Sequence, residues 1–291
     1  MTDSGGIHFK KHGIFILALL LLFIALFIFY LDWQSSHRNL TFAVLNVGQG
    51  DAIFIESPTG TQILVDGGPR GKGMSELSRV MPLFDNTIDA IIITNPDADH
   101  IAGFLDVLKN YKVGQVFEAG TFNDSKTYRN LKDQIKNKNI PNTLAKKGMR
   151  LDLGGGAVID ILFPDRDVSA WTTNDGSIVA KLTYGETSIM LTGDSTSETE
   201  DIILQSFSPS YLNSDILKVG HHGSHTSTSV EFVNAITPEY SLISLGKTNK
   251  YGHPHKETLE TLENFGTEIL RTDELGTIIF KCDTMGECKI N

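Results

Sequence analysis

The sequence has few of the proline and charged residues that are abundant in chains that do not fold into compact domains. Only 9 of its 291 residues are proline, and 21% are charged, while 40% are hydrophobic. This composition excludes a disordered or a collagen-like chain. Cysteine is also scarce, since Cys282 and Cys288 are the only two. Their spacing leaves two possibilities open, a disulfide across a C-terminal hairpin or two unpaired thiols.

Basic residues are the second shortage. Lys and Arg number 25 against 35 Asp and Glu, which gives a formal net charge of −10. So acidic a chain is a poor general binder of nucleic acid or of membrane surfaces. An anionic substrate would need a local source of positive charge, for example bound metal ions.

The apolar residues are not evenly spread, and those at 14–31 form one unbroken run. A helix of this length spans roughly 27 Å, near the minimum for a bilayer crossing. A cleaved signal peptide is the main alternative, but Asp32, Trp33 and Gln34, which follow the run, offer no A-x-A-like cleavage site. Because Lys10 and Lys11 precede it, residues 1–13 are predicted to be cytoplasmic. We therefore expect a single-pass anchor in the cell membrane and an extracytoplasmic domain at 40–291.

The remaining residues alternate short apolar strands with amphipathic helices. One α/β domain with two packed sheets is the natural interpretation. Strands are predicted at 40–46, 52–56, 62–65, 90–94, 158–163, 178–184, 188–191, 216–219, 241–244 and 276–281, and helices at 101–110, 126–138, 229–236 and 256–265.

Polar clusters follow four of these strands. They occur at Asp66, at 95–100, at Asp194 and at 221–225. Strand ends meet at one edge of a layered sheet structure, where ligands are commonly bound. The histidines strengthen this pattern: five of nine lie between 221 and 255, and none lies between His100 and His221.

Each cluster taken alone also has a plain structural interpretation. Asp97, Asp99 and His100 form half of a divalent-cation site or a turn that caps the next helix. Asp194 would be a turn aspartate, and the histidines at 221–222 and 253–255 would be core or loop residues. The base-rich stretch 126–150 would be a solvated helical face or a substrate-binding flank.

Six motifs, taken in order, favour a functional interpretation of these clusters over the structural ones. They are LNVGQGDA (45–52), ILVDGG (63–68), TNPDADHIAGF (94–104), LTGD (191–194), LKVGHHGSHTSTS (217–229) and SLGKTNKYGHPH (244–255). In this order they resemble the metallo-β-lactamase-fold hydrolases, and among them the extracytoplasmic domain of the ComEC competence proteins. The resemblance covers about residues 40–280. It implies a four-layer αββα sandwich, preceded here by the transmembrane helix, with a dinuclear metal site at one edge.

The resemblance also implies roles for individual residues. The family signature is H-x-H-x-D-H, and this chain has Asn95 and Asp97 in place of its first two histidines. The implied metal ligands are Asp97, Asp99, His100, Asp194 and His253. Asp99, His221 and His222 are the implied catalytic residues. Supporting or substrate-contacting roles fall to Asp66, Asn95, Ser224, His225 and His255, with the backbone at 223–224 as an oxyanion site.

A function follows from this resemblance. We expect a metal-dependent hydrolase that cleaves DNA phosphodiester bonds with one or two divalent ions (Mn²⁺ or Zn²⁺, or else Mg²⁺), acting in a competence or envelope complex. The hard oxygen donors favour Mn²⁺ or Mg²⁺. Hydrolysis of a lactam, a lactone or another ester is the enzyme alternative. A metal-poor binding module is the alternative of another class, because Asn95 and the missing middle histidine deplete one metal position.

Overall fold

The structure is a computed structural model that describes residues 5–36, 39–283, 285 and 287–290, with side chains of the first helix described from 13 to 29. The chain forms two compact units, Met1–Arg38 and Asn39–Asn291. Within the described residues, we find no helix with both the length and the apolar character needed to cross a bilayer. The side chains of residues 30 and 31, the end of the predicted anchor, lie outside the described part.

Fifteen strands are described. Ten lie close to the bounds predicted from apolar runs, and five, at 112–118, 142–144, 150–154, 268–271 and 288–290, were not predicted. The fifteen are β1 (Leu40–Val44), β2 (Ile53–Glu56), β3 (Gln62–Val65), β4 (Thr87–Ile93), β5 (Lys112–Glu118), β6 (Asn142–Leu144), β7 (Arg150–Gly154), β8 (Ala157–Phe163), β9 (Val179–Tyr184), β10 (Thr187–Leu191), β11 (Ile216–Lys218), β12 (Tyr240–Ile243), β13 (Glu268–Arg271), β14 (Ile278–Cys282) and β15 (Cys288–Ile290).

The helices connect these strands. They are α1 (Gly5–Ser36), α2 (Lys72–Val80), α3 (Ala98–Ile101), α4 (Phe104–Asn110), α5 (Lys126–Asn137), α6 (Ser197–Ser206), α7 (Pro209–Leu212), α8 (Val230–Ile236), α9 (Lys256–Asn264) and α10 (Thr272–Leu275), with a short 3₁₀ turn at Gly220–Gly223. The helix predicted at 101–110 is split into α3 and α4. The split lies at Gly103, where a Cβ would stand 1.9 Å from the carbonyl oxygen of Gly67.

The strands form two sheets, each with an antiparallel and a parallel part. The first has the order β15-β14-β1-β2-β3-β4-β5-β6, and the second has the order β13-β12-β11-β10-β9-β8-β7. Pairing is parallel from β3 to β6 and from β10 to β13. Both sheets therefore contain a run of parallel strands whose carboxyl ends can share one edge.

Apolar side chains fill three layers. One cluster joins the facing sides of the two sheets, including Phe42 and Phe280 from the first and Leu182 from the second. A second cluster places Leu77, Leu108 and Leu131 of α2, α4 and α5 on the outer side of the first sheet. The third places Ile203, Phe232 and Leu262 of α6, α8 and α9 on the outer side of the second. The result is a mixed α/β sandwich in the order helix, sheet, sheet, helix.

Candidate metal centre

His100 lies at the centre of a buried hydrogen-bonded chain of side chains. Its Nδ1 is 2.8 Å from Oδ2 of Asp66, and its Nε2 is 3.0 Å from Oδ2 of Asp194. Asp66 also accepts hydrogen bonds from the backbone N–H (2.9 Å) and the hydroxyl (2.5 Å) of Thr94. His100, Asp66 and Asp194 are all buried. Loops that follow β3, β4 and β10 thus meet at one point, as strand ends at a common edge predict.

His222 reaches the same point from the loop after β11. Its Nε2 is 3.5 Å from Oδ2 of Asp99 and 3.6 Å from Oδ1 of Asp194, and its ring centroid is 5.4 Å from that of His100. The backbone of His221 and His222 is left-handed, with φ of 46° and 55°. Such a conformation costs of order 1–3 kcal/mol per residue and concentrates at functional sites.

Asp51 and Lys218 belong to this centre but were not singled out from the sequence. The Nζ of Lys218 is 2.8 Å from Oδ2 of Asp51, and both side chains are almost fully buried. Oδ1 of Asp51 is 3.4 Å from Nδ1 of His222, a nitrogen that also lies 3.0 Å from the carbonyl oxygen of Ser244. The available signal was Lys218 itself, a single charge inside the apolar strand β11.

The charges of the centre divide the histidines into two kinds. Burial opposes a charge on His100 and on His222, but nearby carboxylates outweigh it. They raise the pKa of His100 well above its usual value and that of His222 to about 10. Burial, together with the charges of neighbouring histidines, lowers the pKa of His221, and it lowers that of His253 to about 4. His221 and His253 are therefore neutral near pH 7 and able to accept a proton or bind a metal.

Asp194 carries the most stabilised negative charge of the group. Burial would raise the pKa of its carboxyl, but the rings of His100 and His222 outweigh burial and hold it well below its usual range. Burial likewise opposes ionisation of Asp51, and Lys218 and His222 reverse the balance and lower its pKa to about 2. Both carboxylates are ionised at neutral pH and available to a cation.

The residues present fit a divalent metal ion. Three groupings of acids and histidines have ligand atoms within 4.8 Å of one another: Asp99–His100–His222, Asp51–Asp66–His100 and Asp51–Asp194–His222. Buried polar atoms without a hydrogen-bond partner are expected to be rare. Here they include Oδ1 of Asp194 and Nε2 of His222. These atoms point to a cation that would satisfy them.

Asn95 and Asp97 have other partners. The side-chain oxygen of Asn95 accepts a hydrogen bond from the backbone N–H of Asp97 (2.9 Å), which shapes the turn. The two oxygens of Asp97 accept hydrogen bonds from Asn123 (2.8 Å) and Thr173 (2.9 Å). Among the described residues, the groupings of acids and histidines close enough to share an ion do not include Asp97.

The late histidines lie at the mouth of the centre. The ring of His253 is 5.6 Å from that of His221 and 6.3 Å from that of His222, and its buried Nδ1 has no hydrogen-bond partner. His225 and His255 form an exposed pair, with 2.9 Å between their Nδ1 atoms. The backbone N–H of Ser224 donates to the carbonyl oxygen of His221 (2.9 Å), so this amide is already used and is not free for an oxyanion.

Comparison with known proteins agrees with the sequence motifs. Residues 45–247 match the family model described as the metallo-beta-lactamase superfamily. ComE operon protein 3 of Bacillus subtilis is 31% identical over 256 residues, which cover 82% of this chain and 32% of that protein. Competence protein ComA of Neisseria gonorrhoeae is 25% identical over 264 residues, which cover 89% of this chain and 35% of that protein. The predicted resemblance to ComEC-type proteins is confirmed, and this chain spans about a third of the length of these relatives.

A solved structure supports the fold alone. CmlA, a diiron beta-hydroxylase from Streptomyces venezuelae, superposes with a TM-score of 0.55 at 13% identity, over 84% of this chain and 54% of that one. The likeness lies in the sandwich, since the identity is too low to carry a function.

Proposed function

The chain belongs to the metallo-beta-lactamase superfamily, and from this membership we propose that it is a metal-dependent hydrolase that cleaves phosphodiester bonds of DNA. The observation that carries the proposal is the meeting of half-buried Asp99 with buried His100, Asp194 and His222, where Oδ1 of Asp194 and Nε2 of His222 lack hydrogen-bond partners. A module that only binds other molecules has no need to bury unpaired polar atoms, because each one costs stability.

The metal would be held by Asp99, His100, Asp194 and His222, with His253 and Asp51 beside them. His100 and His222 would each release a proton as the ion binds, because their pKa values are raised and only a neutral ring is a ligand. When bound, such an ion lowers the pKa of its water towards about 7 and so provides hydroxide at neutral pH. Asp66 holds the ring of His100 from behind, since it lies 2.8 Å from the ring nitrogen that faces away from Asp194. A carboxylate in this position fixes the orientation and the tautomer of a ligating histidine.

His221 is the residue we assign to proton transfer. It is half-buried with a lowered pKa, and its Nδ1 lies 3.0 Å from the hydroxyl of Thr226. That contact orients the ring, and Nε2 lies 3.5 Å from the amide nitrogen of Asn174. A neutral imidazole held in this way can take a proton from the attacking water at Nε2 and then give it to the leaving oxygen.

DNA is the substrate that the relatives favour, since one of them is named a competence protein. The acidic chain supports a role for metal in binding DNA, because cations reverse the local charge where a polyanion approaches. We accordingly propose a competence or envelope complex as the setting.

The same reasoning extends to location. We propose that residues 14–31 anchor the chain in the cell membrane, with residues 1–13 in the cytoplasm and the unit at 40–291 outside. The apolar run and the flanking Lys10 and Lys11 support this orientation. The Cys282–Cys288 disulfide also supports it, since such bonds persist in oxidising compartments.

The test is a nuclease assay on the full chain combined with metal analysis. With Mn²⁺ added, the wild-type protein is expected to cut single- or double-stranded DNA. Asp194→Asn should reduce the rate at least about 100-fold, because it removes a charge that acts directly on the metal. Asp201→Asn makes the same chemical change on the exposed face of α6 and should leave the rate unchanged.

Two results would count against the proposal. One is wild-type protein that leaves DNA uncut with metal content near zero, which would favour the binding module. The other is cleavage of a lactam or a carboxylic ester with DNA untouched, which would favour the second type of hydrolase. Two tightly held zinc ions per chain, with Mn²⁺ unable to support activity, would contradict the preference for hard cations.

A further inference from the structure

A cavity of about 390 Å³ lies next to the metal centre and is not used by the proposed chemistry. It is formed by the loop that precedes β2 and the loop that follows β12, and its wall includes Gly48, Gln49, Lys72, Lys247 and Asn249. The two loops are in close contact, since a Cβ on Gly246 would stand 2.8 Å from the backbone nitrogen of Gln49.

The cavity shares two walls with the metal centre. Gly50, the neighbour of Gln49, packs so closely on the loop of Asp99 that a Cβ there would stand 2.1 Å from the carbonyl oxygen of Asp99. On the other side, Asn249 fixes His253. Its amide donates to the carbonyl oxygen of His253 (2.8 Å), and its side-chain oxygen accepts from the backbone N–H of His253 (2.9 Å). A ligand in the cavity therefore lies beside whatever occupies the centre.

The charge of the cavity is positive, against the sign of the whole chain. Lys72 and Lys247 line it, and among the described residues neither has a carboxylate partner within ion-pair distance. The one acid on the wall, Asp273, is already paired with the guanidinium of Arg271 through contacts of 3.1 and 2.8 Å. Two cations thus remain uncompensated in a protein with a net charge of −10.

The cavity also offers hydrogen-bond donors. The side-chain nitrogen of Gln49 is buried without a partner, while its oxygen accepts from the backbone N–H of Gly246 (3.4 Å). Lys72 is the first residue of α2, a nine-residue helix whose N-cap, Gly71, makes no side-chain capping bond. Free N–H groups at a helix start and lysine ammonium groups are common partners of phosphate.

We propose that this cavity binds a phosphate group, namely the phosphate of the substrate strand next to the one that is cleaved. The identity of this phosphate as part of the substrate rests on the proposed function, but the existence of a phosphate-binding site does not. Gln49, Lys72 and Lys247 are its binding residues, and the cavity supplies the positive charge that an acidic protein needs to hold a polyanion in register.

The test measures binding, so that it does not depend on cleavage. A short fluorescein-labelled single strand is titrated with the full chain, without added metal, by fluorescence anisotropy at several salt concentrations. The double variant Lys72→Gln/Lys247→Gln should raise Kd about 10-fold and reduce the slope of log K against log salt by about 0.7, which corresponds to one phosphate contact on a single strand. Lys109→Gln, an exposed lysine that does not line the cavity, is the matched control and should change neither.

A second arm separates a strand phosphate from free phosphate. Inorganic phosphate should compete with the labelled strand on the wild-type protein and lose this effect on the double variant. A strand in which a neutral methylphosphonate replaces the phosphate assigned to the cavity should bind the wild type more weakly than the unmodified strand does. The double variant should bind the two strands with the same affinity.

Three outcomes would overturn the proposal. One is an unchanged Kd and salt slope in the double variant. Another is an equal loss in Lys109→Gln, since this would show a general charge effect. The third is loss of phosphate binding with the strand unaffected, which would show that the cavity takes only free phosphate. If the lysine effect is found and no DNA is cleaved, the subsite stands and the hydrolase proposal fails.

Discussion

Among single residues, Asp51 and Lys218 form a buried ion pair next to His222 of the metal centre. Their ion pair is buried and joins the loop before β2 to the end of β11, so that it links the two sheets. Removing both charges from water is costly, and the pair is stable only because each charge compensates the other. Asp51 also lies 3.4 Å from Nδ1 of His222, so the position of a metal ligand depends on this pair.

Asp51→Asn should therefore destabilise the protein strongly. The variant leaves the ammonium of Lys218 buried without a counter-charge, and loss of one partner of such a pair typically costs about 3–5 kcal/mol. Urea denaturation without added metal measures the free energy of unfolding. Lys218→Met in the same chain should recover most of the loss, since it removes the uncompensated charge. A double variant no more stable than Asp51→Asn would contradict this account.

The structure brings some of the predicted site residues together and gives others different partners. His100 and Asp194 stand in motifs whose order is informative, and the structure places them 3.0 Å apart. Asp51 stands in a Gly-rich turn, where an aspartate is expected without any function, so that its burial was not foreseeable. Asp97 was predicted as a ligand from the spacing of its motif. Its contacts with Asn123 and Thr173 depend on loops distant in sequence, which local patterns do not encode.

Among the elements, α6 secures the loop that carries the histidines. Glu200 of α6 is buried, and its two oxygens accept hydrogen bonds from the backbone N–H groups of Thr228 (2.6 Å) and Ser229 (2.8 Å). Ser229 is in turn the N-cap of α8, where its hydroxyl accepts from the N–H of Phe232. One carboxylate thus fixes the end of the HHGSHTSTS segment to the start of a helix.

This clamp has a predictable pH dependence. Burial raises the pKa of Glu200 above its ordinary value of 4.5 despite the two hydrogen bonds. The folded state then holds the proton more tightly than the unfolded state, so the contribution of Glu200 is greatest below pH 4.5. It falls as pH rises through the raised pKa and is constant above it. The deficit of Glu200→Gln relative to wild type should therefore shrink from acid to neutral pH.

Urea denaturation of both proteins below pH 4.5 and at neutral pH measures the two free energies of unfolding and checks this expectation. Glu198→Gln, on the exposed face of the same helix, makes the same chemical change outside the clamp and serves as the control. A deficit of Glu200→Gln that grows towards neutral pH would mean that the carboxylate is stabilised in its charged form.

Element boundaries were predictable to within a few residues where apolar periodicity dominates. The run at 90–94 proved to be the end of β4, and the helix expected at 126–138 is α5. The helix at 101–110 was predicted as one piece because its apolar spacing continues across Gly103. The close approach of Gly67 that interrupts it is a tertiary contact, and no local pattern reports it.

At the scale of the whole molecule, the C-terminal hairpin of β14 and β15 forms one edge of the first sheet. Cys282 and Cys288 pair within it as a disulfide, and β14 pairs with β1. The sequence left the choice between a disulfide and free thiols open. The structure settles it in favour of the disulfide because the two cysteines are opposite each other in the β14–β15 register.

We expect the two cysteines to be oxidised in the protein as cells make it, because the proposed location is an oxidising one. Mass spectrometry after acid quenching and alkylation should find both thiols blocked until a reductant is added. The double variant Cys282→Ser/Cys288→Ser should lose about 2 kcal/mol of stability, as expected for a short loop. Two free thiols in quenched cells would contradict the proposed location, whatever the stability of the variant.

The pairing of β1 with β14 has a consequence for how this unit is combined with others. Leu40 lies opposite Cys282, and Ile290 of the next strand lies opposite Phe280. Neighbouring strands are about 4.8 Å apart and the two partners on β14 are two residues apart, so the two ends of the unit are separated by roughly 12 Å. A host polypeptide can leave and resume its own path at nearly the same point with the unit in between. The sandwich is therefore suited to insertion as a domain within a longer protein.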